Sequence, residues 1–143
     1  MIDFKFIDIK NDLYKEAVLL RIRAFFDGMP NASDLINDRF EVNGIHLICL
    51  HNNKVIGTGR LNFEENECVI SQMAIDENFQ YNGIGGKLLT QLIEYSKERT
   101  NSKITLNARE TAISFYEKFN FVIIGDKYPS KKTTIIHQKM ELK

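Results

Sequence analysis

This chain lacks what would suit it to a polyanion, a bilayer or an oxidising compartment. Its 19 Lys and Arg are matched by 19 Asp and Glu, leaving no formal net charge. Without a basic surplus nothing favours nucleic acid as a partner, and the adjacent Lys131 and Lys132 read as a solvated loop pair. No apolar run approaches the roughly 18 residues that a membrane span needs. The opening "MIDFKFIDIK" alternates apolar and charged residues, a strand pattern rather than the unbroken apolar core of a signal peptide. Ile2 excludes a myristoylation signal. There are only two cysteines, Cys49 and Cys68, both in apolar stretches. They read as buried free thiols, which fits a cytoplasmic location. No metal is expected: of His46, Cys49 and His51, the last two share a strand face while His46 points the other way, and zinc needs further ligands. A Gly-x-Ser-x-Gly elbow is also missing, so hydrolase chemistry has no support. With no repeat, low-complexity tract or linker, residues 1–143 are expected to form a single domain.

What is present alternates between two periods. Residues 2–9 read as a strand. Over Asp12 to Phe26, the positions of Leu13, Ala17, Leu20 and Ala24, flanked by Val18, Ile22 and Phe25, make a helical stripe. Gly28 and Pro30 interrupt it, and Asn31 or Ser33 can cap a short second helix through Phe40. Ile45 to His51 and Lys54 to Phe63 read as strands joined at Asn52-Asn53, a turn tolerant of positive φ. A third strand follows over Cys68 to Ile75. Ile84 to Arg99 is the clearest helix, with Ile84, Leu88 and Leu92 four apart. A strand over Lys103 to Ala108, a helix over Thr111 to Phe119, and strands over Phe121 to Ile124 and Thr133 to Leu142 complete the chain. The predicted order is β-α-α-β-β-β-α-β-α-β-β, a mixed α/β fold in which the long helix is a parallel crossover.

Three glycines, Gly83, Gly85 and Gly86, stand where that helix begins, although glycine costs on the order of 1 kcal/mol inside a helix. A helix N-terminus has free backbone N–H groups and the positive end of the dipole, and bare glycine lets an anion such as phosphate come close. The P-loop pattern fails, because Tyr81 replaces its first glycine and Leu88 its hydroxyl residue; the dinucleotide fingerprint fails at Leu88 too. A third pattern fits: Gln/Arg-x-x-Gly-x-Gly/Ala, present as Gln80-Tyr81-Asn82-Gly83-Ile84-Gly85.

This segment resembles motif A of the GNAT superfamily of N-acetyltransferases. "QMAID" precedes it at the spacing of that family's fourth strand, "NARETAISFYEKFNF" resembles the family's downstream block, and "IIHQKM" its final strand. "TGRL" and "HQKM" are similar to the ElaA-like branch. The resemblance is strongest from Lys54 to Phe121. It implies a mostly antiparallel central sheet with helices on both faces, and acetyl-CoA as cosubstrate. Carried over, Gln80, Asn82, Gly83, Gly85, Gly86 and Lys87 would hold the pyrophosphate of coenzyme A. The pantetheine arm would lie as an added strand along Met73, Ala74 and Ile75, where the fourth strand splays from the fifth. Asn107 would also bind the cofactor, or cap its turn. Tyr116 matches the family's tyrosine that protonates the leaving thiolate.

The implied reaction is acetyl transfer to a primary amine of a small molecule or peptide by direct attack in a ternary complex. The alternative is a non-catalytic acyl-CoA-binding or sensing module. Some relatives carry a glutamate base on the fourth strand; Val69 stands there, so water, Asp27 or His137 would take the proton, with Gln72 and Ser71 the nearby polar groups. Asp27, Gln72 and His137 are the acceptor-site candidates. The acidic residues Asp27, Asp34, Asp38 and Glu41, opposed by Arg39, favour a cationic amine. Asn120 stands where glycine is usual, and Asn tolerates the left-handed geometry of a helix stop. No membrane partner is implied, and a monomer or a homodimer is expected.

Overall fold

The alternation of strand-forming and helix-forming stretches becomes one curved sheet with helices on both faces. We describe it from a computed structural model that covers residues 1–143. The strands are β1 (Ile2–Ile7), β2 (Ile45–His51), β3 (Lys54–Phe63), β4 (Glu67–Ile75), β5 (Lys103–Arg109), β6 (Phe121–Ile123), β7 (Tyr128–Pro129) and β8 (Ile136–Leu142). The helices are α1 (Tyr14–Phe25), α2 (Ala32–Ile36), α3 (Ile84–Arg99) and α4 (Ile113–Glu117). The sheet runs β1-β2-β3-β4-β5-β8-β6, with β7 paired to β8. Every pairing is antiparallel except β4 with β5, which the α3 crossover makes parallel. No helix is long and apolar enough to cross a membrane.

The periodicity of α1 and α3 decides where the cores lie. Ile84, Leu88, Leu89 and Leu92 of α3 pack on one face of the sheet with Leu47, Ile56, Leu61, Ile70 and Leu106. Ala17 and Leu20 of α1 pack on the other with Ile48, Val55 and Ala74. Between the two layers, residues 55–62 of β3 are buried on both faces. Cys49 and Cys68 are buried free thiols; desolvation pushes Cys49 up to about 11.

Most element ends shift by one or two residues, the first strand stopping at Ile7 and the first helix spanning Tyr14–Phe25, and the larger departures each have a local reason. The second helix stops at Ile36, not Phe40: the Asp38 carboxylate accepts the Phe40 N–H and is drawn towards Arg60 and Lys132, so the chain turns instead. The helix expected over 111–119 begins as a 3-10 turn over Glu110–Ala112 and is helical only over Ile113–Glu117. The last strand starts at Ile136 rather than Thr133, since Thr134 has φ 64 and its N–H closes a turn onto the Ser130 carbonyl. The loop around Pro129 contributes β7, an edge position where a missing N–H is tolerated. Asn52, Asn53 and Asn120 all take positive φ, as their residue type allows.

Candidate functional site

The site is built on a sheet that opens. β4 and β5 pair from Glu67↔Lys103 to Ile70↔Leu106 and no further. Beyond that rung the two strands diverge, and residues 71–75 have no ladder partner on the β5 side. At the point of divergence β4 carries a bulge: Thr58 pairs with Ala74 but Arg60 with Ser71, and Gln72 adopts φ 55. A non-glycine residue at positive φ is uncommon, and bulges re-aim side chains beside sites. Here the bulge carries Gln72 towards α1.

The bulge is held by charge. Arg21 donates from Nε to Gln72 Oε1 at 3.1 Å and makes two bonds to Glu41, at 2.6 and 2.8 Å. Arg60 donates to Ser71 Oγ at 2.9 Å, to Glu41 at 2.8 Å and to Asp38 at 3.0 Å. The Tyr14 hydroxyl donates to Glu41 at 2.7 Å. Arg21 and Glu41 are each 1% exposed. Burial alone would raise the Glu41 pKa, but the Arg21 guanidinium, the Tyr14 hydroxyl and Arg60 together hold it down to about 2. The Tyr14 pKa is driven up by burial and by the bond to Glu41.

Below the opening, α3 presents its first turn. Gly83 is its N-cap, left-handed at φ 78, with no side-chain cap. The N–H groups of residues 84–86 find no backbone acceptor; the first internal bond is Lys87 N–H to the Gly83 carbonyl. Gly86 also has a second reason that the sequence did not disclose. A Cβ there would fall 2.6 Å from Cζ of Phe119, whereas one on Gly85 would meet Cζ of Phe115 at an ordinary contact distance of 3.4 Å. Aromatic rings from α4 and its C-terminal end therefore approach the helix backbone closely. Gly83 has open space around it, so its need is for the turn alone. Gly83, Gly86, Lys87, Phe115 and Phe119 line one shallow recess.

Above the opening lies a cavity of about 380 Å³. It gathers Gln72, Met73, Asn107, Tyr116 and His137, five of the residues singled out in the sequence. Asn107 and His137 come from neighbouring strands, with His137 directly opposite Arg109. Tyr116 packs edge-on against Phe115 and Phe121, at 5.1 and 6.0 Å between ring centroids. Burial pushes its pKa up to about 12, so the hydroxyl remains protonated at neutral pH. The Nδ1–H of His137 donates to the Ile135 carbonyl at 2.8 Å, so in the neutral ring the lone pair lies on Nε2.

The other singled-out residues lie elsewhere. The Ala74 side chain is buried under α1, and Ile75 packs on the α3 core. The Gln80 side-chain amide donates to the Ile75 carbonyl, and Asn82 makes a long contact of 3.5 Å to the Phe79 carbonyl. Asp27 is not with Tyr116: it lines a separate recess with Glu16, Arg23, Lys54 and Gln80. Sequence reasoning missed Arg21, Arg60, Phe25 and Arg109. Arg21 left a signal, since it falls four residues after Ala17 on the apolar face of α1, where an unpaired cation has no place. Arg60 left a weaker one, inside a strand buried on both faces.

Comparison with known proteins bears on the family and the fold. The family model for the acetyltransferase (GNAT) family matches residues 11–121. A UPF0039 protein of Schizosaccharomyces pombe is 30% identical over 148 aligned residues, covering 97% of this chain and 93% of that protein. Escherichia coli ElaA shares the fold with a TM-score of 0.83, at 19% identity over the whole of both chains. A GNAT family acetyltransferase from Elizabethkingia anophelis with acetyl-CoA bound has a TM-score of 0.72, at 19% identity over 99% of this chain and 97% of that one.

Proposed function

The chain belongs to the GNAT acetyltransferase family, and from that premise we propose that it moves an acetyl group from acetyl-CoA to a primary amine seated in the Tyr116 cavity. The observation that carries this reading is the β4–β5 ladder ending at Ile70↔Leu106. An open strand edge in a sheet interior is costly unless something satisfies it. An extended amide-bearing chain running along residues 73–75 would do so by strand addition.

The fit of the remainder is consistent with this. Three consecutive N–H groups without backbone acceptors, at the positive end of a 16-residue helix, suit a pyrophosphate, and Lys87 adds charge. When bound, the cosubstrate supplies an acetyl thioester. Overall, a C–N bond replaces the C–S bond, the amine gives up a proton and the departing sulfur gains one. Tyr116 holds a proton at its hydroxyl for that sulfur. Nε2 of His137 is the acceptor for the amine proton, directly or through water. Backbone N–H groups left free on β4 by the splay can stabilise charge developing on the carbonyl oxygen. Both thiols are buried in the α3-side core, away from the cavity. That burial supports direct attack, with amine and thioester bound together.

The test is release of free thiol from acetyl-CoA in the presence of amines, polyamines, aminoglycosides and peptides, with the acetylated product weighed by mass spectrometry. Amine-dependent release with one acetyl added to the amine is expected. Tight acetyl-CoA binding without transfer to any amine would replace this reading with a binding module.

A further inference from the structure

The cavity that holds Tyr116 and His137 is lined by three cations, Arg109, Lys131 and Lys132, and by no carboxylate. The two buried arginines and one of the three cavity cations are neutralised. Arg21 and Arg60 share Glu41, Arg60 also meets Asp38, and Lys132 is drawn off by Asp38 at 2.8 Å and by the Leu35 carbonyl at 2.8 Å. Arg109 and Lys131 line the same cavity, and neither has a carboxylate within ion-pair distance. Arg109 ends β5, two residues beyond Asn107 and so on the same strand face. Its guanidinium carbon stands 5.1 Å from the centre of the Phe25 ring. Contact with an aromatic ring fixes a guanidinium while leaving its edge N–H groups available.

We propose that the acceptor amine carries an anionic group, a carboxylate or a phosphate, which Arg109 binds with Lys131 at the cavity mouth while the amine points into the β4–β5 opening. This rests on the acetyl-transfer reading and narrows its substrate. A guanidinium fork matches either oxyanion in bidentate fashion. The cationic wall has a second effect: it disfavours the ammonium form of the acceptor, and only the free amine can attack. The expectation of a cationic acceptor, drawn from Asp27, Asp34, Asp38 and Glu41, loses its basis. Asp38 and Glu41 are consumed by arginine and lysine, Asp34 is exposed away from the cavity, and Asp27 faces the other recess.

The experiment uses matched amines with the full chain: phenylalanine against phenylalaninamide, and phosphoethanolamine against ethanolamine, the two pairs separating carboxylate from phosphate. Thiol release gives kcat/KM for each. Equilibrium binding of N-acetylphenylalanine and its amide to the protein with coenzyme A present gives a readout that needs no turnover. At least one anionic member should exceed its neutral partner by about 10–100-fold, the worth of a charge-assisted hydrogen-bonded pair. Arg109→Gln should bring that ratio close to one, and Arg109→Lys should restore part of it. Anion-selective binding that Arg109→Gln removes, without turnover of any amine, would sustain the anion cleft and sink acetyl transfer. Equal use of charged and neutral amines, or a preference that survives Arg109→Gln combined with Lys131→Gln, would overturn the inference and leave acetyl transfer standing. Neither turnover nor selective binding would overturn both.

Discussion

Tyr116→Phe should slow acetyl transfer by about 10²–10⁴-fold, the usual worth of a positioned general acid, while acetyl-CoA affinity stays nearly unchanged. The substitution removes one oxygen from a ring that packs against Phe115 and Phe121, so the aromatic cluster keeps its shape. The Tyr116 hydroxyl makes no hydrogen bond within the chain, yet opens on the cavity where β4 and β5 part. A tyrosine whose pKa burial has pushed to about 12 is a poor base but a reliable proton store at neutral pH. The thiol that forms is a stronger acid than this tyrosine, so full proton transfer is uphill by itself and must be coupled to loss of the amine proton; what the hydroxyl supplies is a charge-assisted hydrogen bond that strengthens as negative charge builds on the sulfur and the C–S bond lengthens. Loss of the hydroxyl therefore acts on turnover more than on binding. Steady-state kinetics and titration of acetyl-CoA, measured on the same preparation, separate the two. An unchanged turnover would remove Tyr116 from the reaction. A large loss of acetyl-CoA affinity would recast the residue as part of the cofactor's wall.

How much of this was legible in the sequence follows from the range of each interaction. Helix α3 was readable because Ile84, Leu88 and Leu92 repeat at a helical spacing and their partners on the sheet need only be apolar. The strand turn at Asn52-Asn53 was readable because its φ values, 49 and 62, belong to those residues themselves. Gly83 was readable for the same reason. Gly86 was read only in part: that Phe119, 33 residues later, would come within 2.6 Å of its absent Cβ is a fact of packing, not of spacing. The bulge at Gln72 was hidden for a similar reason. Glutamine has no preference for positive φ, and what holds it there is Arg21, a residue 51 positions earlier. The charge of the cavity was misjudged because acidic residues were weighed by proximity along the chain. Asp38 and Glu41 look like a free acidic cluster until Arg21 and Arg60 arrive from α1 and β3 to neutralise them. Long-range pairing decides which charges are spent and which, like Arg109, remain free.

Glu41 tests that pairing most severely. Glu41→Gln should destabilise the fold by about 3–5 kcal/mol, since removing one partner strands the buried guanidiniums of Arg21 and Arg60 without a counter-charge. For a chain of this length that amounts to a fall in Tm of roughly 10 °C or more. The pH dependence gives an independent handle should the variant fail to fold. The carboxylate has an ordinary value of 4.5 and is held at about 2 in the folded chain. The folded state therefore releases this proton more readily than the unfolded one, so the contribution is present in full above about pH 4.5. It disappears as the pH falls through that value towards about 2, and the difference corresponds to about 3 kcal/mol. Asp38 and Glu67 are lowered in the same direction and add to the acid slope of the wild-type chain, so the quantity to compare is the difference between wild type and variant in urea unfolding from pH 7 to pH 3. A variant that unfolds at the wild-type urea concentration, with the same acid slope, would show that the Arg21–Glu41–Arg60 cluster does not hold the bulge. If the cluster does hold it, the surviving Glu41→Gln protein should also bind amines poorly, because Gln72, which lines the cavity, would lose the fixed Arg21 contact that anchors it.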